Sequence, residues 1–355
     1  MRLPLKDAAD NTSIDIAALM RMTDIFLSRG FDTFDTAWTY HDGHSEQALR
    51  LALVERYPRD RFRLTDKMPT MLLESADDME RIFAEQLLRC GVDYFDRYLV
   101  HCATQTFCEH AERFDCFGFV ERKKREGFIR KTGFSFHDTP ELLDAMLTAH
   151  PEVDFVQLQI NYVDWTQTPL RAQECYRTAR RHGKPVTVMS TLKGGMLANV
   201  PPQVETLFRA VHPEDDVSVW ALRFAAGLDG VTTVLSGMSS VSEMERNTAA
   251  LQFAAPLTPE EQSVVERAAE MICNMNPVQC TACGYCIPVC PAGIDIPQYL
   301  YLYNRMTRGF EPSSAEEESL VPTSACLACR RCESACPQKL PIAGWIGGAA
   351  VSMQP

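Results

Sequence analysis

Residues 31–46 read FDTFDTAWTYHDGHSE, a short apolar and β-branched run that passes into a polar loop. The run predicts a β-strand over Phe31–Thr36, because short runs of aromatic and β-branched residues are typical of strands. The strand ends at an acid, Asp35, and Tyr40 follows five residues later on the loop. Catalytic residues of parallel α/β barrels stand at such strand ends, so the stretch joins candidate chemistry to a candidate fold.

The same alternation of strand and helix continues through most of the chain. Amphipathic helical stretches such as Met79–Cys90 separate the strand patterns, which is typical of parallel βαβ units. Seven strands and a stub at Arg2–Leu5 predict a (β/α)8 TIM barrel, a fold of about 250 residues. A doubly wound open sheet is the alternative, but it normally carries a Gly-rich first turn, and no G-x-G-x-x-G occurs here. The further strand patterns are Phe62–Lys67, Phe95–His101, Phe128–Phe134, Val153–Leu158, Pro185–Ser190 and Thr232–Ser236.

The length of 355 residues predicts two domains, because it exceeds what one ordinary core holds. Prolines and a helical stretch lead into Asn276–Pro277, so we predict a boundary near Asn274. Residues 1–273 would form the barrel and residues 274–355 a small, mostly α-helical domain.

The composition limits the partners and the location. A formal net charge of −12 argues against nucleic acid and anionic membranes, since both attract basic surfaces. The first residues have no apolar leader, and no run of about 18 apolar residues occurs. We therefore expect no nucleic-acid partner, no membrane and a cytoplasmic location.

Eight of the fourteen cysteines form two copies of the motif C-x2-C-x2-C-x3-C-P. A disulfide scaffold would require an oxidising compartment, and zinc usually takes two separated ligand pairs. Four cysteines in one run, twice, each closed by proline, instead favour 4Fe–4S clusters, whose iron suits soft thiolates. A helical stretch, Ile296–Arg308, lies between the copies. The copies are Cys280, Cys283, Cys286 and Cys290, and Cys326, Cys329, Cys332 and Cys336.

The two strands that follow Phe31–Thr36 end at Lys67 and His101. Three successive strands would thus bring Asp35 with Tyr40, Lys67 and His101 to one rim. Taken singly, each residue has an ordinary explanation: a packed tyrosine, a solvated Lys–Asp ion pair, or a hydrogen-bonded core histidine. The four together, at consecutive strand ends, favour catalysis.

In this order the four residues resemble the catalytic tetrad of the aldo-keto reductase family. The resemblance covers roughly Arg2 to Leu251 and implies oxidation or reduction of a small-molecule carbonyl or alcohol. It implies that Tyr40 is the general acid/base, that Asp35 holds Lys67 in place, and that His101 orients the carbonyl. Lys67 would lower the pKa of the tyrosine, which is about 10 when unperturbed, because an ammonium stabilises the phenolate.

Members of that family have a complete first barrel strand, whereas Met1–Pro4 is similar only to its tail. The first strand is therefore expected to be truncated, which would leave an exposed sheet edge. Either translation starts upstream or the barrel is incomplete, and we favour the upstream start.

The resemblance also implies a nicotinamide dinucleotide, NADP(H) or NAD(H), in the barrel mouth. Phe136 stands where the family usually has asparagine. Ser240 and Glu243 form a capping box, which explains both without a ligand, although a helix N-terminus also binds phosphate. The matching positions are Ser135, Gln157 and Asn161 for the nicotinamide amide, Met189 in place of a stacking aromatic, Lys193, Gly237, Ser239 and Ser240 in the phosphate loops, and Asn247 near the adenine.

The cysteine-rich tail resembles helical two-cluster ferredoxins and the iron–sulfur branch of the same family. In two-cluster ferredoxins the fourth cysteine of each run ligates the other cluster. The resemblance therefore implies two 4Fe–4S clusters. One would be bound by Cys280, Cys283, Cys286 and Cys336, and the other by Cys326, Cys329, Cys332 and Cys290.

The main hypothesis is an NAD(P)H-dependent oxidoreductase with two clusters for electron transfer and a redox protein as a further partner. The alternative is an iron–sulfur electron-transfer or redox-sensing protein whose barrel only binds nucleotide or a partner. A third hypothesis gives the clusters a purely structural role. Clusters carry single electrons whereas nicotinamide carries hydride, and no flavin motif is seen to link them.

Overall fold

The structure is a computed structural model, and it describes residues 2–101, 105–166, 170–252, 255–306 and 320–346. Within these ranges seven parallel strands form one sheet in unbroken chain order, β1 to β7. Each coincides with a predicted strand, so the parallel β/α architecture is confirmed. A doubly wound sheet reverses its strand order, which this sheet does not do. The strands are β1 Thr33–Asp35, β2 Arg63–Met68, β3 Phe95–His101, β4 Ile129–Phe136, β5 Phe155–Gln159, β6 Val186–Met189 and β7 Val231–Val234.

The sheet is packed on both faces, as parallel sheets are. Leu64, Leu99 and Val156, from three different strands, are completely buried. Strands β4 and β5 approach closely at Gly133, where a Cβ atom would lie 2.6 Å from the carbonyl oxygen of Phe155. The absence of a side chain at Gly133 therefore permits the close approach of β4 and β5 in this register.

The predicted stub at Arg2–Leu5 does not become a strand. Leu5 makes a single antiparallel bridge to Ile14, and among the described residues the sheet has β1 and β7 as its edges. Apolar burial holds the segment, because Leu3 and Ile14 pack into a cluster with Leu19, Ala48 and Ala52. The barrel-type sheet therefore has seven strands in the described part of the chain, as the expectation of a truncated first strand implies.

Helices separate the strands, and their ends carry ordinary signals. Helix α3 has Asp77 and Asp78 in its first turn, Arg89 in its last, and Gly91 in the left-handed conformation (φ +70°) as its cap. In the described ranges no helix is both long and apolar enough to cross a membrane. The helices are α1 Ile16–Ser28, α2 Ser45–Leu49, α3 Asp77–Cys90, α4 Gln105–Arg113, α5 Cys116–Arg125, α6 Pro140–Ala149, α7 Ala172–Arg181, α8 Pro202–Arg209, α9 Val217–Ala226, α10 Val241–Gln252, α11 Pro259–Met275, α12 Ile296–Met306 and α13 Arg331–Ala335.

The chain divides into two compact units. The first comprises Met1–Ile160, Glu174–Thr191 and Leu222–Pro256, and contains the whole sheet. The second comprises Asn161–Gln173, Leu192–Ala221 and Leu257–Pro355, and contains all eight motif cysteines. The boundary near Asn274 stays a prediction. The helix predicted at Ile296–Arg308 is α12, and its last two residues lie outside the described ranges.

The second unit has its own small core around the cysteine motifs. Val278, Ile294, Leu300 and Ile342 are buried there. Asn304 on α12 fixes the chain before the first motif, since it accepts a hydrogen bond from the Val278 amide (3.1 Å) and donates one to the Val278 carbonyl (2.7 Å). This pairing of a side chain with both backbone groups holds α12 against the first cysteine run.

Candidate functional site

Three neighbouring strands end at residues that the sequence analysis names. Asp35 ends β1, Lys67 lies one residue before the end of β2, and His101 ends β3. Because β2 pairs with both β1 and β3, these ends are adjacent. Tyr40 begins a 3₁₀ turn, Tyr40–Gly43, on the loop after β1. The structure brings the four side chains to one end of the sheet, and their catalytic roles stay predictions.

The lysine is the centre of this group. Its ammonium donates to Oδ1 of Asp35 at 2.6 Å and to the carbonyl oxygen of Thr36 at 2.6 Å, and its side chain is completely buried. Nζ of Lys67 lies 4.8 Å from the centre of the Tyr40 ring. The Tyr40 and His101 rings are 6.5 Å apart and perpendicular. Two hydrogen bonds thus hold a positive charge beside the phenol.

The pKa of Tyr40 departs from its usual value in the direction opposite to the predicted one. Burial raises the pKa of the phenol, the charge of the Asp35 carboxylate raises it further, and negative charge on Asp66 would act in the same direction. Sequence reasoning counted the charge of Lys67 but not the removal of water from the phenol, which disfavours the phenolate more strongly. The phenol is therefore held in its protonated form.

His101 is held neutral. Burial lowers the pKa of its imidazole to about 3, and the positive charge of Lys67 adds to this effect. The sign is the usual one for a buried histidine, because burial disfavours the imidazolium. A neutral imidazole keeps one donor and one acceptor nitrogen, as an orienting group for a carbonyl requires.

A row of unpaired polar atoms crosses three strands beside this group. His101 on β3 is the register partner of Ser135 on β4, which is the partner of Gln157 on β5. Nδ1 of His101, Oγ of Ser135 and Oε1 of Gln157 are buried and have no hydrogen-bond partner among the described residues. Buried polar groups are normally paired, so three in one row indicate a ligand. Ser135 and Gln157 are two of the predicted nicotinamide contacts.

The other predicted contacts in the first unit make hydrogen bonds within the protein. Met189 accepts at its sulfur a hydrogen bond from Nε2 of Gln157 (3.3 Å). The Ser239 amide donates to the Glu243 carboxylate (2.7 Å), and Ser240 Oγ accepts from the Glu243 amide (3.2 Å). The Ser240 hydroxyl therefore caps α10, but the Glu243 carboxylate accepts from Ser239, the residue before the cap, so the predicted reciprocal capping box is only half formed.

Two further predicted positions near this helix are close to neighbouring side chains. A Cβ atom at Gly237 would lie 3.2 Å from the side chain of Arg2, so the glycine permits this contact. Asn247 is buried on α10 and donates to Oγ of Ser236 at 3.5 Å. The roles of both in cofactor binding stay predictions.

The remaining two predicted contacts, Asn161 and Lys193, belong to the second unit. The buried ammonium of Lys193 donates to Oδ1 of Asp164 at 2.5 Å and to Oε1 of Gln338 at 3.3 Å. Asn161 donates to Oδ2 of the same aspartate at 2.7 Å. Both side chains thus serve one buried carboxylate. Removing either charge of the buried Lys193–Asp164 pair is costly. Lys193, and Asn161 beside it, therefore have a structural role besides the predicted cofactor contact.

The turn that carries Tyr40 is strained and is held by its own histidine. His41 and Asp42 both lie in the left-handed region, at φ +52° and +51°, which costs free energy in non-glycine residues. Nε2 of His41 accepts a hydrogen bond from the Leu3 amide (3.0 Å), and Nδ1 pairs with the carbonyl oxygen of Asn11 (2.8 Å). The N-terminal segment therefore fixes the turn that presents the phenol.

Acid should loosen this turn before it unfolds the protein. Burial lowers the pKa of His41 below its unfolded value of 6.5, so folding favours the neutral ring. The contribution to stability is present above pH 6.5 and is lost as the pH falls towards the lower folded pKa, because a protonated Nε2 cannot accept from Leu3. We expect Leu3 amide exchange, corrected for intrinsic rate, to accelerate over this range. His41→Gln should give a flat profile, and a flat profile in the unmodified protein would contradict the assignment.

Sequence analysis missed a buried polar network directly behind the tetrad. Glu46 on α2 and Asp66 on β2 are completely buried, and Nε2 of Gln86 on α3 reaches both carboxylates, at 3.2 and 2.9 Å. The signal in the sequence was weak: Asp66 is an acid inside an apolar strand, and Glu46 ends the stretch of residues 31–46.

The eight motif cysteines surround two cavities in the second unit. One cavity with about 310 Å³ of empty space and another with about 390 Å³, both partly open to solvent, are each lined by four thiols. Each set takes three cysteines from one copy of the motif and the fourth from the other copy, which fits the cross-ligation that the ferredoxin resemblance implies. The smaller cavity is lined by Cys280, Cys283, Cys286 and Cys336, and the larger by Cys326, Cys329, Cys332 and Cys290.

The thiols surround a space and do not converge on a point. Among the described residues no three His, Cys, Asp or Glu side chains come together closely enough to hold one metal ion. Burial raises the pKa of Cys286 to about 12, and the neighbouring Cys283, Cys280 and Cys336 raise it further. Crowded thiols of this kind ionise when positive charge enters the space between them, so the donor set suits a multi-iron cluster.

The parallel β/α sheet carries its polar side chains at the strand ends, and the same chain carries two cavities lined by cysteines. Together these features define an oxidoreductase of the β/α-barrel class with an iron–sulfur domain. Residues 7–270 match the model of the aldo/keto reductase family, and residues 279–340 match that of the 4Fe-4S dicluster domain. The chain belongs to the aldo/keto reductase family. The predicted family, its barrel fold and its oxidoreductase class are thereby confirmed.

Known relatives agree with this assignment. An aldo-keto reductase of Mycolicibacterium paratuberculosis is 27% identical over 240 residues, which is 68% of this chain and 77% of that protein. Aldo-keto reductase AKR11C1 from Bacillus halodurans (holo form) has a TM-score of 0.59 at 24% identity, over 75% of this chain and 91% of that one. An aldo-keto reductase from Klebsiella pneumoniae, described in complex with NADPH, has a TM-score of 0.55 at 22% identity, over 75% and 89% of the two chains. These solved structures show the fold.

Proposed function

We propose that this protein reduces the carbonyl group of a small molecule, or oxidises the corresponding alcohol, with NADP(H) or NAD(H) as the hydride carrier. The observation that carries the proposal is the row of His101, Ser135 and Gln157 atoms without partners in the described chain. An unsatisfied buried polar group costs about 1–3 kcal/mol, so such a row persists where a ligand pairs with it. A carbonyl and a carboxamide supply the missing partners.

The protein's own side chains would handle the proton. Burial raises the pKa of Tyr40, so the phenol is protonated at neutral pH and can donate to a developing alkoxide. Lys67, held by Asp35, carries a positive charge 4.8 Å from the ring and stabilises the phenolate that remains. Neutral His101 would orient the carbonyl. A bound nicotinamide supplies the hydride.

Ser135 and Gln157 would hold the carboxamide of that nicotinamide. The serine hydroxyl can donate or accept a hydrogen bond, and the free Oε1 of Gln157 accepts from an amide N–H. The two residues are register partners on β4 and β5, so their free atoms lie side by side. The NADPH complex of the Klebsiella pneumoniae relative supports NADP(H) as the first nucleotide to test.

We further propose that each cysteine cavity holds one 4Fe–4S cluster and that the pair transfers electrons. In each set the second cysteine of the run, Cys283 or Cys329, is exposed. A cluster held there would reach the surface, where single electrons can pass to a separate redox protein. That redox protein is the proposed partner besides the small-molecule substrate, and the proposed location is the cytoplasm.

Removing either proposed amide contact should weaken nucleotide binding. We expect Ser135→Ala and Gln157→Leu each to raise the Kd for NADPH or NADH by about tenfold, since one hydrogen bond contributes about 0.5–1.5 kcal/mol. The measurement is titration of anaerobically purified protein, followed by nucleotide fluorescence. Ser28→Ala is the matched control, because Ser28 hydrogen-bonds only the Ile25 carbonyl on an exposed helix surface.

Unchanged affinity in both variants would contradict the site. If neither nucleotide binds the unmodified protein, the reductase proposal fails, and the electron-transfer or redox-sensing alternative gains support. Electron paramagnetic resonance of the reduced clusters, recorded with and without nucleotide, then shows whether the clusters accept electrons by themselves. The same samples, assayed with a panel of aldehydes and ketones, would give the substrate class.

A further inference from the structure

Two buried carboxylic acids lie directly behind the tetrad, one beside each of its central residues. Glu46 is on α2, three residues after the Tyr40–Gly43 turn, and Asp66 immediately precedes Lys67 on β2. Neither has any exposed surface. The two acids therefore connect the turn that carries the phenol with the strand that carries the ammonium.

We propose that Glu46 and Asp66 share one proton and act as positioning residues, which fix Lys67 relative to Tyr40 and limit the negative charge beside the phenol. The catalytic part of this inference rests on the proposed function. The proton sharing does not, because it follows from the contact between two completely buried carboxyl groups.

Gln86, which joins the two acids, has too few hydrogens for all of its acceptors. The two acids are within hydrogen-bond reach of each other. Nε2 of Gln86, with only two hydrogens, lies 3.2 Å from Glu46, 2.9 Å from Asp66 and 3.0 Å from the carbonyl oxygen of Lys67. Two ionised carboxylates in contact would repel each other strongly inside a protein. A proton between them removes the repulsion and supplies the missing donor.

The charged neighbours indicate which acid keeps the proton. Burial raises the pKa of Glu46, but hydrogen bonds from Gln86, Asp66 and Arg89 oppose the rise, and Arg89 on α3 donates to Oε2 of Glu46 at 3.2 Å. The pKa of Asp66 is well above its usual value, first through burial and then through the charge of Glu46. Glu46 is therefore the carboxylate, and Asp66 is the neutral acid that faces the tetrad.

Every other ionisable group that packs on the pair fits this charge state. Cys90 on α3 directs its thiol at Oδ2 of Asp66 (3.6 Å), and burial raises the pKa of that thiol. Tyr98 on β3 donates to Oε1 of Gln86, and burial raises the pKa of its phenol. Both stay neutral, and Arg89 also pairs with Glu85. The remaining charges on this side are those of Lys67 and Asp35, which form the tetrad ion pair.

The network holds the lysine from both sides of its backbone. The Lys67 amide donates to Oδ1 of Asp66 at 2.8 Å, and its carbonyl accepts from Gln86. Negative charge on Asp66 would raise the pKa of Tyr40, as the charge of Asp35 does. If Asp66 became ionised, the phenolate would be less stable, and the step that requires phenolate would slow. The proton on Asp66 thus keeps the phenol usable in both reaction directions.

Three variants separate this proposal from a merely structural network. Glu46→Gln removes the charge that keeps Asp66 protonated, so Asp66 should ionise at lower pH. We expect the alkaline limb of carbonyl reduction to move up by about one pH unit and alcohol oxidation at neutral pH to fall about tenfold, since one pKa unit corresponds to a factor of ten. Adding Asp66→Asn to Glu46→Gln should return the limb to its original position, because the amide cannot ionise. Glu55→Gln, at a surface ion pair, is the control.

Infrared difference spectra test the shared proton without any activity. The carbonyl stretch of a buried protonated carboxylic acid should be present at neutral pH, absent in Asp66→Asn, and lost at lower pH in Glu46→Gln than in the unmodified protein. If the stretch is missing, or survives Asp66→Asn, the proton sharing is wrong. If the infrared result holds but the double variant lowers activity further without moving the pH limb, the network is structural only. If no reductase activity exists at all, the infrared experiment still decides the proton sharing.

Discussion

Replacing Tyr40 by phenylalanine is expected to lower the turnover number about 10²–10⁴-fold, the range that a positioned general acid contributes. The Kd for the nucleotide should change by no more than about twofold, because at most one weak contact is lost. The ring and its contact with Lys67 remain, so the change removes only the hydroxyl group. The alkoxide left by hydride transfer would then lack its proposed proton donor. Steady-state kinetics under anaerobic conditions, with nucleotide binding measured separately, check the result.

Tyr57→Phe is the matched control for this change. Tyr57 is in the same unit and also loses a hydroxyl that bonds to a carboxylate, that of Asp24, but it lies away from the strand ends. We expect its turnover to equal that of the unmodified protein. If Tyr40→Phe retained full turnover, the general acid would have to be another group, and the catalytic assignment of the tetrad would fail with it.

The elements behind that prediction were accessible from short stretches of sequence. Strand β3 has the predicted bounds, Phe95–His101, because aromatic and aliphatic residues of high strand propensity, above all Tyr98, Leu99 and Val100, form its core. Adjacent parallel strands bring their carboxyl ends together, so Asp35, Lys67 and His101 could be expected at one rim without coordinates. The cysteine spacing was equally local.

What sequence reasoning could not supply depends on burial and on distant partners. Glu46 and Asp66 meet through Gln86, which reaches them from a third element, and no local pattern predicts that three polar groups share one buried site. The ion pair of Lys193 with Asp164 is of the same kind. The pKa of Tyr40 shows the general difficulty, because the charge of a neighbour can be read from the sequence whereas the loss of water around a group cannot.

Replacing Cys336 by alanine is expected to remove the same cluster as replacing Cys283, although the two belong to different copies of the motif. Both thiols line the smaller cavity, together with Cys280 and Cys286. Each single variant should therefore lose about half of the bound iron and sulfide, and the double variant Cys283→Ala/Cys336→Ala should lose no more than either single one, since a cluster ordinarily needs its four thiolates.

The opposite pairing distinguishes cross-ligation from ligation within one motif. Cys290 lines the larger cavity, so Cys283→Ala/Cys290→Ala, with both changes in one motif, should lose nearly all iron and sulfide and both reduced-state resonance signals. If each motif held its own cluster, Cys283→Ala/Cys290→Ala would keep half of the iron and Cys283→Ala/Cys336→Ala would keep almost none. Cys175→Ala, at a buried thiol in the barrel outside both cavities, should change the iron content in neither case. Because cross-ligation makes each cluster close the loop between the two motifs, loss of one cluster should also lower the thermal stability of the second unit.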